Sequence, residues 1–254
     1  ATEAQVLQSL NHPAIVEYRG FVHRTGHSPY LVTRYEEGGS LLDHICRVGT
    51  LSIPVTAAIG EQLCRALSLA HQQGVIHRDL KPENVLLERP VLIHEVPTLR
   101  IADFGIAKVF GGVGERLTRV GAFVGTPQFA APEQFEGINP EPSTDVYAMG
   151  AMLHYCIMGR PVADFMAELD PDQQRDHLLR HLPPRLNVPG AEPWLIERME
   201  AVLAKAMAVQ QGDRCDMQGL AEMLGQLAGK MRLTITIQPD DTSTEAPKQA
   251  QETQ

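Results

Sequence analysis

Residues 75–87 read VIHRDLKPENVLL, with an acid at Asp79, an ammonium at Lys81 and an amide at Asn84 held between two runs of apolar side chains. Buried apolar strands do not normally carry so much charge, because an ion taken out of water has to be paired or put to use. Four further segments follow in order: ADFG at 102–105, VGTPQFAAPEQ at 124–134, STDVYAMG at 143–150 and GDR at 212–214. HRD alone reads equally well as a salt-bridged turn, and DFG alone as an ordinary turn. The order of all five segments is what is specific.

In that order the segments resemble the signature set of the protein kinase family, in the style of bacterial, eukaryotic-like Ser/Thr protein kinases. Moving a γ-phosphoryl group asks a protein mainly to position a hydroxyl and to neutralise phosphate charge. By the resemblance, Asp79 accepts or orients the proton of the substrate hydroxyl and Lys81 touches the γ-phosphate. Asn84 and Asp103 hold the magnesium ions, with His77 and Phe104 packed behind them. The implied cofactors are ATP and Mg2+, and the implied partner is a protein substrate presenting Ser or Thr. Thr33 falls at the gatekeeper position, and Arg34, Tyr35 and Glu36 form a hinge whose backbone would hydrogen-bond adenine, with Leu86 beneath the ring. Glu3 corresponds by its spacing to NHP to the helix glutamate that pairs with a strand lysine. Arg78 beside Asp79 marks the subclass in which a phosphorylated activation loop docks on arginine. Lys108 could complete that pocket, and Thr118 stands where similar kinases carry a phosphothreonine, although most loop threonines are merely solvated. Thr126 and Lys81 favour Ser/Thr over Tyr acceptors. Asp145 corresponds to a buried acid that anchors the catalytic-loop backbone, and Glu133 with Arg214 to an ion pair that ties down the activation segment.

The elements that must position these residues follow from spacing. Val6, Leu7 and Leu10 recur at helical intervals and NHP at 11–13 ends that helix. AIVEYRGFV and PYLVTRY read as strands, closed by a Gly-Gly break at 38 and 39. From about residue 41 the pattern is helical: Ile59, Leu63, Leu67 and Ala70 share a face, with Gly74 as the C-terminal cap. Further helices are read at about 143–158 after PST, at 192–209 and at 217–230. Val75, Ile76 and Val85–Leu87 are expected to be strands that stiffen the catalytic loop, and Trp194 is expected in the core. The resemblance covers roughly residues 1–228. It implies an α+β, two-lobed kinase-like fold, with a partial N-lobe and hinge over 1–40 and a mainly helical C-lobe over 41–228. Residues 229–254 are polar and contain proline without aromatics, which suits a disordered tail or linker.

A chain of 254 residues that is 43% hydrophobic can bury a sizeable core. Its net charge of -9 argues against nucleic acid as the main partner. The four cysteines show no C-x-x-C spacing, so they read as reduced thiols of a cytoplasmic domain, and zinc is not expected. No apolar run is long enough to span a membrane; VYAMGAMLHYCIMG at 146–159 suits a buried helix instead.

Two features depart from the family pattern. Residues 1–80 contain no lysine, and GGVGE at 111–115 follows DFG, so it cannot be the glycine loop. With Ala1 rather than Met at the start, the chain reads as a fragment whose lysine and glycine loop lie upstream, and is expected to be inactive as given. The alternative is a pseudokinase, a scaffold or binding module without chemistry; the intact Asp79, Lys81, Asn84 and Asp103 weigh against it. A small-molecule kinase is disfavoured by the A-P-E and G-T-P segments, which seat a polypeptide. The second departure is LERPVLIHEVPTLR between Asn84 and Asp103, longer than the usual hairpin and read as an exposed insertion.

Overall fold

The computed structural model describes residues 10–22, 30–92, 95–104, 127–136, 138–162, 173 and 185–235. Two strands come first, β1 (Tyr18–Val22) and β2 (Tyr30–Thr33). They pair antiparallel with Tyr18 opposite Thr33 and Val22 opposite Tyr30, and a register shift lies between Tyr18 and Gly20. Both sit inside the two apolar runs read as strands. Helix α1 (Leu41–Val48) follows the Gly-Gly break and is started by Ser40, whose hydroxyl accepts from the Asp43 N–H while Asp43 returns a bond to Ser40.

Helix α2 (Ile53–Gln72) forms the spine of the larger part. Ile59, Leu63, Leu67 and Ala70 are all fully buried, as their shared face requires. Gly74 takes φ +76°, the left-handed conformation that ends a helix, and the Val75 N–H turns back to the Ala70 carbonyl. That bond explains one departure from the sequence reading. Val75 and Ile76 do not form a strand, because the Val75 donor is spent on the helix end. Only Val85–Leu87 does (β3); it pairs antiparallel with β4 (Leu99–Ile101), Val85 opposite Ile101. Gln62 of α2 braces this hairpin by accepting from the Leu99 N–H at 2.7 Å.

A short helix α3 (Pro132–Phe135) precedes α4 (Pro142–Met158), which is buried along most of its length, as its apolar run predicts. The N-cap of α4 is Glu141 rather than a residue of PST; Thr144 lies inside the first turn and its hydroxyl accepts from the Glu141 N–H. Helices α5 (Pro193–Ala206) and α6 (Met217–Ile235) complete the bundle. Helix α6 continues past residue 228 to Ile235, so the start of the tail expected at 229 is helical instead. Trp194 is 42% exposed, not a core residue. Helix α5 turns Met199, Val202, Leu203 and Ala206 inward, and Trp194, at its first turn, lies off that face. All four cysteines are free thiols.

Two buried polar groups set how the bundle responds to perturbation. Glu133 and Arg214 form a two-pronged ion pair with both contacts at 2.8 Å. The guanidinium also donates to the carbonyls of Ser143, Ala208 and Val209 and lies over the Tyr147 ring. Burial opposes ionisation of Glu133, but the Arg214 hydrogen bonds and charge outweigh it and hold its pKa below the ordinary carboxylate value. Its contribution to stability is therefore present at neutral pH and lost as pH falls through that lowered value. Arg214→Ala would leave the carboxylate buried and unpaired, and urea denaturation is expected to show a loss of about 3–5 kcal/mol.

His154 on α4 is fully buried, and neither ring nitrogen has a partner among the described residues. Burial first, and the Arg160 charge second, push its pKa down to about 4. The unfolded chain takes up a proton near the ordinary histidine value while the native state does not, so stability falls as pH drops from about 6.5 towards 4, by roughly 2–3 kcal/mol across the window. His154→Leu should melt above the unsubstituted protein at pH 5, and thermal scans should show that gap shrinking towards pH 7.5.

Candidate active site

The loop after α2 is held from below by one carboxylate. Asp145, almost fully buried in the first turn of α4, accepts from the backbone N–H of His77 at 2.8 Å and of Arg78 at 2.9 Å. The His71 ring, from the last turn of α2, lies 2.7 Å from the same carboxylate. Arg78 takes φ +71°, a conformation rarely adopted by a residue with a side chain, and the carboxylate fixes its amide in that state. The Arg78 carbonyl accepts in turn from Gln134 of α3, which links the A-P-E segment to the loop.

His77 is fully buried, and its ring packs against that of Phe104 in a tilted arrangement, 4.9 Å between centroids at 49°. Burial lowers its pKa despite the acids around it, so the ring is neutral. The contacts assign its tautomer: Nε2 donates to the Ala102 carbonyl at 2.9 Å, and Nδ1 accepts from the Asp79 N–H at 3.3 Å. One ring thus ties the loop to the strand that delivers Asp103. A second tie is the Ala102 N–H to the Asn84 carbonyl, 2.8 Å.

On this base the structure brings three of the expected residues together. Lys81 Nζ lies 3.0 Å from a carboxylate oxygen of Asp79. The Asn84 amide nitrogen donates to the Asp79 carbonyl at 2.8 Å and reaches its carboxylate at 3.5 Å, which turns the amide oxygen away from Asp79. Pro82–Asn84 form a single 3-10 turn that sets this spacing. Asp103 follows Ala102 and is exposed, with φ +54°, the second non-glycine at positive φ among the described residues. Asn84 and Asp103 offer hard oxygen donors, which suits magnesium. Among the described residues no group of three or more His, Cys, Asp or Glu could hold a metal by itself. A magnesium ion shared with phosphates needs only one or two protein ligands.

The other expected site residues lie above this floor or outside it. Thr33 and Tyr35 are exposed, Tyr35 by 83%, and Leu86 is half-buried on β3. The Arg34 N–H bonds to the Glu17 carbonyl and the Gly38 N–H to the Leu87 carbonyl, so residues 35–37 are bracketed at both ends. Glu36 points its carboxylate inward, to Arg100. Glu3, Lys108, Thr118 and Thr126 lie outside the described residues. Sequence reasoning missed His71, Gln134, Gln62 and Arg100. Each acts across a long loop on a backbone group or a buried acid, and none stands in a local pattern that would mark it.

The protein kinase domain family matches residues 1–223. Serine/threonine-protein kinase PknB of Mycobacterium tuberculosis is 30% identical, over 97% of this chain and 36% of its own length. Serine/threonine-protein kinase PknH of Mycobacterium bovis is 33% identical over 84% of this chain and 33% of its own length. The chain thus spans about a third of the length of these curated relatives. In fold it is similar to a crystal structure of Rad53 1-466 in complex with AMP-PNP, with a TM-score of 0.67 and 24% identity, covering 89% of this chain and 53% of that one. No helix among the described residues is long and apolar enough to cross a membrane. With its motif order, its two-part α+β architecture and a match over most of its length, the chain belongs to the protein kinase domain family.

Proposed function

We propose that this domain transfers the γ-phosphoryl group of ATP to a Ser or Thr hydroxyl of a protein substrate. The observation that carries the reading is the cluster of Asp79, Lys81 and Asn84 on a loop whose backbone is fixed by Asp145. Asp79 takes the hydroxyl proton as the new P–O ester bond forms and the bond to the β-phosphate oxygen breaks, and ADP leaves with that oxygen. Lys81, close to Asp79, would neutralise charge building on the phosphoryl oxygens. Asn84, its amide nitrogen committed to Asp79, and Asp103 would hold magnesium, which when bound offsets phosphate charge. The neutral His77 keeps the two halves of this arrangement in register.

Residues 34–36 would read adenine through their backbone, with Thr33 and Leu86 beside the base and Glu3 paired to a lysine. Arg78, with Lys108, would receive a phosphate on Thr118. The domain reading assigns residues 1–228 to catalysis, and α6 carries that unit on to Ile235. The scaffold alternative would require that no lysine pairs with Glu3, and residues 1–80 contain none. Against it stands the intact cluster, which a site without chemistry would not need.

Asp79→Asn is expected to abolish transfer, with turnover down by a factor of about 10² or more, while an ATP binding isotherm stays nearly unchanged, because the aspartate acts on the hydroxyl. Asp103→Ala should instead weaken magnesium-dependent ATP binding. Normal turnover by Asp79→Asn would remove it from the catalytic role. Residues 1–254 assayed alone with Mg2+, ATP and a basic acceptor protein should run ~10²-fold or more below a longer chain that supplies a phosphate-covering glycine loop and a lysine, since misplacing a reacting group costs about that much. Equal rates would show that Glu3 needs no such partner.

A further inference from the structure

Arg100, on β4, makes three contacts that no motif predicts. It donates to the Pro13 carbonyl at 2.7 Å and to Glu88 at 3.0 Å, and its Nε lies 3.0 Å from a carboxylate oxygen of Glu36. Arg34 closes the set, 3.3 Å from the same Glu88 oxygen and 3.6 Å from the same Glu36 oxygen. The result is a ring of two arginines and two glutamates. Its innermost member, Glu36, has a fully buried side chain, and Arg100 is nearly buried. Neither Glu36 oxygen receives a well-aligned hydrogen bond from a described residue, so the carboxylate is held by charge alone.

The placement of Arg100 joins two ends of the site. Glu36 belongs to the segment proposed to read adenine, and Arg100 stands on the strand that runs through Ile101 and Ala102 into Asp103. β4 is rigid at this point. Ile101 exchanges backbone bonds with Ala14 and Val16 on one side and pairs with Val85 on the other. Across the ring, Gly38 packs so closely on Leu87 that an added Cβ would lie 2.4 Å from the Leu87 Cβ. Two backbone bonds, from the Gly38 N–H to the Leu87 carbonyl at 2.9 Å and from the Leu87 N–H to the Gly39 carbonyl at 2.8 Å, hold the segment that follows Glu36 to the hairpin.

We propose that Arg100 is a positioning residue for the nucleotide: through Glu36 it fixes the separation between the adenine-reading segment 34–36 and the metal-holding Asp103. This rests on the phosphoryl-transfer reading above. Arg100→Gln releases Glu36 and lets that separation vary, so base and phosphates can no longer both be seated without reordering the segment.

The experiment is titration of the full-length natural protein with Mg2+ and AMP-PNP, with steady-state kinetics and amide hydrogen exchange alongside. In Arg100→Gln the affinity is expected to fall about tenfold and KM for ATP to rise equally, with kcat within twofold, and the amides of Glu36 and Gly38 should exchange faster. Arg100→Lys should recover part of the affinity. Because Arg100→Gln leaves a buried charge, the double substitution Glu36→Gln with Arg100→Gln serves as the folded control and should bind as weakly as the single one. Unchanged affinity in the double variant, or a loss confined to kcat, overturns the proposal. Failure of the unsubstituted protein to bind nucleotide overturns the kinase reading beneath it, and shows before any substitution is made.

Discussion

The carboxylate of Asp145 is the constraint on which the site depends. The loop from Val75 to Asp79 leaves a helix end and cannot join a ladder, so its N–H groups need acceptors from elsewhere in the core. One aspartate meets two of them side by side, and His71 occupies the same carboxylate. An asparagine there would bring donors of its own where only acceptors fit. With the His77 and Arg78 amides fixed, the strained φ of Arg78 becomes tolerable, the His77 ring enters the core against Phe104, and Asp79 is presented outward beside Lys81 and Asn84.

The floor of the site was legible in the sequence because its chemistry is local. HRDLKPEN writes the cluster within one turn of chain, and the apolar residues on each side announce the clamp. Asp145, Glu133 and Arg214 were legible only through the resemblance, since nothing in their own surroundings shows that they meet. The Arg100 and Glu36 contact was not legible at all. Arg100 stands between two apolar residues and Glu36 beside another acid, and only the packing of the chain brings them together. Helix existence was read well from periodicity at α2 and α4, where burial is continuous. Trp194 was misread because an aromatic residue beside leucine and isoleucine looks like core, whereas its position at the first turn of α5 places it off the inward face.

Among the described residues two non-glycines take positive φ, Arg78 and Asp103, and each is next in sequence to a residue bonded to the His77 ring. Each conformation costs of the order of 1–3 kcal/mol, and such costs persist only where surrounding contacts over-determine the backbone. Here the contacts are the Asp145 carboxylate for Arg78 and, for the chain entering Asp103, the His77 and Asn84 bonds to Ala102. The strain therefore coincides with the residues that the proposed chemistry has to aim.

The bonds that flank the small sheet also define how it is attached. Among the described residues the chain crosses between that sheet and the helical body twice. The first crossing is at Glu17, between Val16, which is bonded to β4, and β1; the second is at residues 35–37, between β2 and Gly38. Arg34, just before the second crossing, donates its N–H to the carbonyl of Glu17 at 2.8 Å. Beside that backbone bond, the Arg34–Glu88 ion pair at 3.3 Å adds a side-chain tie to the hairpin, so among the described residues the small sheet meets the helical body through a narrow set of contacts around Glu17 and residues 34–37.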